Sequence, residues 1–139
     1  MESLKLKDYL NQRPVTFTEE MPVAEAVERL LESKQTGGPV VNQIGKLVGF
    51  LSEQDCLSQM IESTYYREQV ARVKDIMKSP VLTVNSHDSV LSLAQRMITE
   101  RPKVYPVVGE SGELVGTINR TDVLNAIDVQ LHAGYRKKP

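Results

Sequence analysis

One cysteine, two histidines, two phenylalanines and no tryptophan leave this 139-residue chain short of the side chains that carry covalent and metal chemistry. Cys56 alone cannot close an internal disulfide or supply half of a cysteine-rich metal site, and it reads as a small buried hydrophobe. His87 and His132 stand in no acid–base or metal-ligand pattern and read as solvated. No Ser–His–Asp or Cys–His set, His-x-x-x-His pair or phosphate-loop string occurs, so the chain reads as a non-enzyme without metal or resident cofactor. An excess of either charge is also missing. Seventeen Lys and Arg face 18 Asp and Glu, a formal charge of −1, which argues against nucleic acid or an anionic membrane as partner. The single cationic cluster, Arg136-Lys137-Lys138, lies in the last residues. No apolar run is long enough to span a bilayer and Met1–Asn11 is not a charged-then-apolar leader, so the expected location is cytoplasmic.

What the chain does have is itself, twice. A shift of 67 residues lines up Lys7–Met60 with Lys74–Ile127 without a gap. Matches include Lys7-Asp8 with Lys74-Asp75, Arg29 with Arg96, Pro39-Val40-Val41 with Pro106-Val107-Val108, Leu47-Val48-Gly49 with Leu114-Val115-Gly116, and Asp55 with Asp122. Most are Gly, Pro or aliphatic residues, which backbone and core demand. Asp55 and Asp122 are not. A repeat of about 55 residues is near the lower limit for folding alone, so the copies are expected to share one core.

Each copy reads in the same order. A short lead, Leu6–Leu10 or Val73–Met77, runs through a proline into a brief β run, Val15–Phe17 or Val81–Val84. Helical periodicity follows, with Val23, Ala26, Val27, Leu30 and Leu31 in one copy and Val90, Leu93, Ala94, Met97 and Ile98 in the other. Two β-branched runs then form a hairpin, Pro39–Asn42 with Leu47–Leu51 and Tyr105–Val108 with Leu114–Ile118. A last helix closes each copy, Glu53–Glu62 and Arg120–Leu131. The fold class is therefore α/β (α+β), with two β-α-β-β-α repeats. Residues 1–62 form the first, 63–72 a polar connector containing Tyr65-Tyr66, Arg67 and Glu68, 73–131 the second, and 132–139 a basic tail. The helices are apolar over more of their circumference than one small sheet can cover. The surplus either packs against the other copy and another chain, predicting a homodimer, or is scattered exposed aliphatics.

The string Gly49-Phe50-Leu51-Ser52-Glu53-Gln54-Asp55 passes from strand to helix, with Ser52 at the N-cap. Its hydroxyl and the free N–H groups of the first turn can face a phosphate. Asp55, one turn in, is favoured as a carboxylate by the helix dipole and can accept from the two vicinal hydroxyls of a ribose. Ser-x-x-Asp is equally a capping box, in which both side chains serve only the backbone. In the second copy Asn119 stands at the cap and Asp122 is retained, in Gly116-Thr117-Ile118-Asn119-Arg120-Thr121-Asp122.

Val73-Lys74-Asp75-Ile76-Met77-Lys78-Ser79-Pro80-Val81 resembles the lead segment of a CBS domain. Tyr105-Pro106-Val107-Val108, Gly112-Glu113-Leu114-Val115-Gly116 and Thr121-Asp122-Val123-Leu124 resemble its hairpin and closing helix, and the first copy is similar at Gly38–Val41, Gly45–Gly49 and Ser52–Asp55. The resemblance implies a tandem CBS pair, or Bateman module, packed about a pseudo-two-fold axis with two clefts between its copies. Such clefts bind adenosine-containing ligands: AMP, ADP, ATP or S-adenosylmethionine. Carried over, it places Ser52 at a phosphate and Asp55 at a ribose, with Asn119 and Asp122 in the second cleft beside two cations, Arg120 and Lys103, the latter where family members often carry a phosphate-contacting base. The match to Lys103 in the first copy is Thr36, followed by Gly37-Gly38, which either admit a ligand to the backbone or form a loose start to a strand. Tyr105 covers an adenine face or packs within its hairpin. The expectation is a stand-alone regulatory module whose output is contact with an unidentified target protein. The rival is a ligand-free interaction or oligomerisation protein that keeps the fold.

Overall fold

The computed structural model describes residues 5–66, 71–100 and 102–136. Arg67 and Glu68 of the connector and Lys137-Lys138 of the basic tail lie outside the described residues. The chain divides into two compact units whose boundaries cut across the duplication. The unit containing Asp55 comprises Arg13–Val81 with Gly112–Leu114, and the unit containing Asp122 comprises Met1–Gln12, Leu82–Ser111 and Val115–Pro139. The lead segment of each copy is thus built into the unit that holds the hairpin of the other.

In the Asp55 unit, β1 (Phe17–Thr18) pairs in parallel with β2 (Gly37–Val41), which pairs antiparallel with β3 (Leu47–Ser52) in the order β1-β2-β3. Helix α1 (Val23–Ser33) connects β1 to β2, α2 (Glu53–Tyr66) follows β3, and the short α3 (Val73–Ile76) is the transferred lead. In the Asp122 unit a 3-10 turn at Leu6–Asp8 plays the part of that lead, with β4 (Val84–Asn85), α4 (Val90–Thr99), β5 (Val104–Val108), β6 (Leu114–Asn119) and α5 (Arg120–Arg136) in the matching order. Its sheet runs β4-β5-β6.

The two cores share six positions related by the 67-residue shift. Phe17, Ala26, Val40, Leu51 and Cys56 are buried together in one; Val84, Leu93, Val107, Ile118 and Val123 hold the matching places in the other. Val73 completes the first and Leu6 the second, each fully buried. Both hairpins turn through a glycine at positive φ, Gly45 at 81° and Gly112 at 79°, a conformation closed to most side chains. Each parallel strand begins later than its β-branched run predicts. Before β1, the Val15 N–H donates to Gln35 Oε1 and the Thr16 carbonyl accepts from Arg29; before β4, the Thr83 carbonyl accepts from Arg96. These residues are held by side chains, so ladder pairing starts only at Phe17 and Val84. Helix α2 continues through Tyr65-Tyr66, which the sequence reading assigned to the connector.

Candidate functional site

Strand β3 ends at Ser52 and α2 begins at Glu53, so Ser52 caps a helix whose first-turn amides lack intrahelical partners. The cap is closed from both directions. The Asp55 N–H donates to Ser52 Oγ at 3.1 Å, while the Ser52 N–H and hydroxyl both donate to Asp55 Oδ2, at 3.0 and 2.8 Å. The second oxygen, Oδ1, lies 3.2 Å from Lys78 Nζ. The pair is lopsided: the Asp55 side chain is 12% exposed and that of Lys78 66%. Next along the helix, Cys56 is buried, and desolvation followed by the Asp55 and Glu53 carboxylates pushes its thiol up from the usual range, leaving it a neutral packing group.

The second copy repeats the corner with one substitution. The Asn119 N–H donates to Asp122 Oδ2 at 3.0 Å and the Asp122 N–H donates to Asn119 Oδ1 at 2.8 Å. An amide oxygen accepts here as a hydroxyl does, so the cap is equally complete, but the third bond, the hydroxyl-to-carboxylate bond of the first corner, has no equivalent. Lys103, before β5, and Arg120, the first residue of α5, are exposed. Among the described residues, neither is joined to Asn119 or Asp122 by a hydrogen bond or ion pair. Ser52 and Asp55 are thus brought together, as are Asn119 and Asp122, while the two cations stand apart from them.

Capping is a general habit of Asp in this chain. Asp75 and Asp88 also accept from the backbone N–H three residues earlier, at Arg72 (2.8 Å) and Asn85 (3.1 Å). What distinguishes Asp55 is its burial combined with a second oxygen engaged by an exposed cation. Lys78 is not among the site residues that the sequence pattern picks out. It arrives through a two-way bridge, Lys78 N–H to Phe50 O and Phe50 N–H to Lys78 O, both 2.9 Å. The 67-residue shift pairs Lys78 with Asn11 and Phe50 with Thr117, and Asn11 bridges Thr117 in the same way, at 2.7 and 3.0 Å. The duplication held that signal; what it did not reveal was that each lead segment lies on a strand of the other copy.

The alternatives left open at Gly37-Gly38 and Tyr105 resolve into packing. A Cβ on Gly38 would collide with the Val15 carbonyl and one on Gly37 with the Leu51 carbonyl, so this chain's own backbone occupies the space. Tyr105, the counterpart of Gly38, is fully buried. Its hydroxyl donates to Glu100 Oε1 at 2.7 Å, and the Arg96 guanidinium lies 5.2 Å from its ring centre. Burial, the Glu100 bond and the Glu100 charge push its pKa up to about 12. His87 and His132 are exposed, near Glu110 and Asp128 respectively. Among the described residues no cluster of His, Cys, Asp and Glu could hold a metal ion, and no helix is long and apolar enough to cross a membrane. Beside the Asp55 corner an open depression of about 470 Å³ is lined by Gln54, Asp55, Ser58, Asp75, Ile76 and Lys78, among others.

The sequence pattern of the CBS domain matches the chain twice, over residues 6–62 and 73–129. A zinc metalloprotease of Methanocaldococcus jannaschii is 32% identical over 92% of this chain, which spans 33% of that protein. The chain spans a quarter to a third of the length of that protein and of MJ1404 from the same organism, and 92% of a third relative there, MJ1426, at 22% identity. Among solved structures, CBSX2 of Arabidopsis thaliana in complex with AMP has a TM-score of 0.79 at 25% identity, covering 93% of this chain and 98% of that one. The CBS domain pair of protein MJ0100, in complex with 5′-methylthioadenosine and S-adenosylmethionine, has a TM-score of 0.76 at 24% identity, covering 88% and 98%.

Proposed function

The chain belongs to the CBS domain family as a tandem pair, and from that premise we propose that it is a regulatory module whose Ser52–Asp55 and Asn119–Asp122 corners receive an adenosine-containing ligand. The carrying observation is the division of labour within the Asp55 carboxylate. Oδ2 closes the helix cap, and among the described residues Oδ1 is held by the largely exposed Lys78 alone. The ammonium end of this pair is largely exposed and can be rehydrated, so vicinal ribose hydroxyls can take its place on Oδ1 while the cap stays intact. Capping and ribose binding are then compatible uses of one side chain. The complex of CBSX2 with AMP, from a protein matching nearly the whole chain, supports AMP as the first probe.

Lys103 and Arg120 supply flexible cations to an anionic group at the second corner. The output is a contact with a target protein or a change in self-association, driven by the ligand's preference for one arrangement. Exposed Leu57, Met60 and Ile61 on α2 and Leu124 and Leu131 on α5 favour a homodimer. No catalytic step is assigned.

A thermal-shift panel with AMP, ADP, ATP and S-adenosylmethionine tests this function. Binding to the folded state raises the melting temperature with ligand concentration. At least one ligand is expected to do so, and the shift should vanish in the Asp55→Ala, Asp122→Ala double variant. The second reading, a ligand-free interaction protein, is favoured by the Ser52 hydroxyl, whose one proton is already donated to Asp55 within the cap and not to a ligand phosphate. Flat curves with every ligand would establish it.

A further inference from the structure

We propose that Lys78 makes the Ser52–Asp55 corner selective for phosphate-bearing adenosine ligands over uncharged ones. The inference rests on the function proposed above and assigns the ligand class of one of its two corners.

The ammonium of Lys78 is 3.2 Å from Asp55 Oδ1, on the side of the carboxylate that the cap does not use. Its backbone is fixed by the two-way bridge to Phe50, whereas its side chain is 66% exposed. An anchored residue with a free four-carbon stem can give up Asp55 to a ribose and turn its charge to a phosphate on the same ligand. Without that cation a nucleotide would bring its negative charge up to a carboxylate already 88% withdrawn from solvent, where repulsion is poorly screened. A neutral nucleoside meets no such repulsion and gains nothing from the ammonium.

The second corner supplies the comparison within one molecule. Asn11 takes the place of Lys78, bridging Thr117 through its backbone as Lys78 bridges Phe50, but with an amide in place of the ammonium. Lys103 and Arg120 are exposed and unpaired with Asp122 among the described residues. They attract an anion over a distance without neutralising the carboxylate.

The test is calorimetric titration with AMP and with adenosine, in an Asp122→Asn background so that only one corner reports. Lys78→Asn, which copies the residue of the other corner, should weaken AMP binding roughly tenfold and change adenosine binding by less than about twofold. Unchanged AMP affinity, or equal losses for both ligands, would overturn the assignment of Lys78 while leaving the corner as a ligand site. If neither ligand binds the background protein and Asp55→Asn changes nothing, the functional reading falls and the selectivity with it. Unchanged melting temperatures of the free variants confirm that the effect is not one of folding.

Discussion

At the residue scale, one position in each copy shows how the duplication diverged. Gly38 leaves room for the Val15 carbonyl, and the matching Tyr105 fills its own core and reaches Glu100 with its hydroxyl. The Tyr105 phenol titrates at about 12 in the folded protein and near 10 once unfolded. Its raised pKa means that the folded state holds the proton longer. The contribution is fully present below about pH 10 and is lost as the pH rises towards 12. Tyr105→Phe should therefore flatten the fall in melting temperature between pH 10 and 12, measured by circular dichroism. Identical alkaline profiles for variant and parent would contradict this assignment. Nothing in the sequence distinguished packing from adenine stacking at this position, because burial depends on the neighbours the fold brings to it.

At the scale of elements, the order of strands and helices was legible because hydrophobic period and β-branching report directly on local structure, and hairpin glycines mark the turns. Strand starts were not. They are delayed by Arg29, Gln35 and Arg96 side chains bonding to the backbone, a tertiary effect without local signature. The Ser52–Asp55 and Asn119–Asp122 corners were legible as caps and as candidate sites, but the cation at Oδ1 was not. Lys78 reaches Asp55 only because the lead segment of one copy is seated on β3 of the other. The same exchange puts Leu6, close to the chain start, at the centre of the Asp122 unit's core. Leu6→Ala should destabilise the protein by about 2–5 kcal/mol in urea unfolding. A loss below about 0.5 kcal/mol would show that the lead segment is dispensable to that core.

At the scale of the whole molecule, the duplication conveys more than an architecture. Two copies of one corner, differing at Ser52 against Asn119 and at Lys78 against Asn11, turn a symmetric plan into two chemically unequal places. The family match accounts for the plan; the inequality is carried by these four residues. Both corners depend on one claim, that a capping Asp keeps an oxygen for the hydroxyls of a ribose. The most direct measurement compares AMP with 2′,3′-dideoxy-AMP by titration calorimetry on the unmodified protein. Loss of the two hydroxyls should weaken binding at least about thirtyfold; equal affinity for the two compounds would contradict the claim.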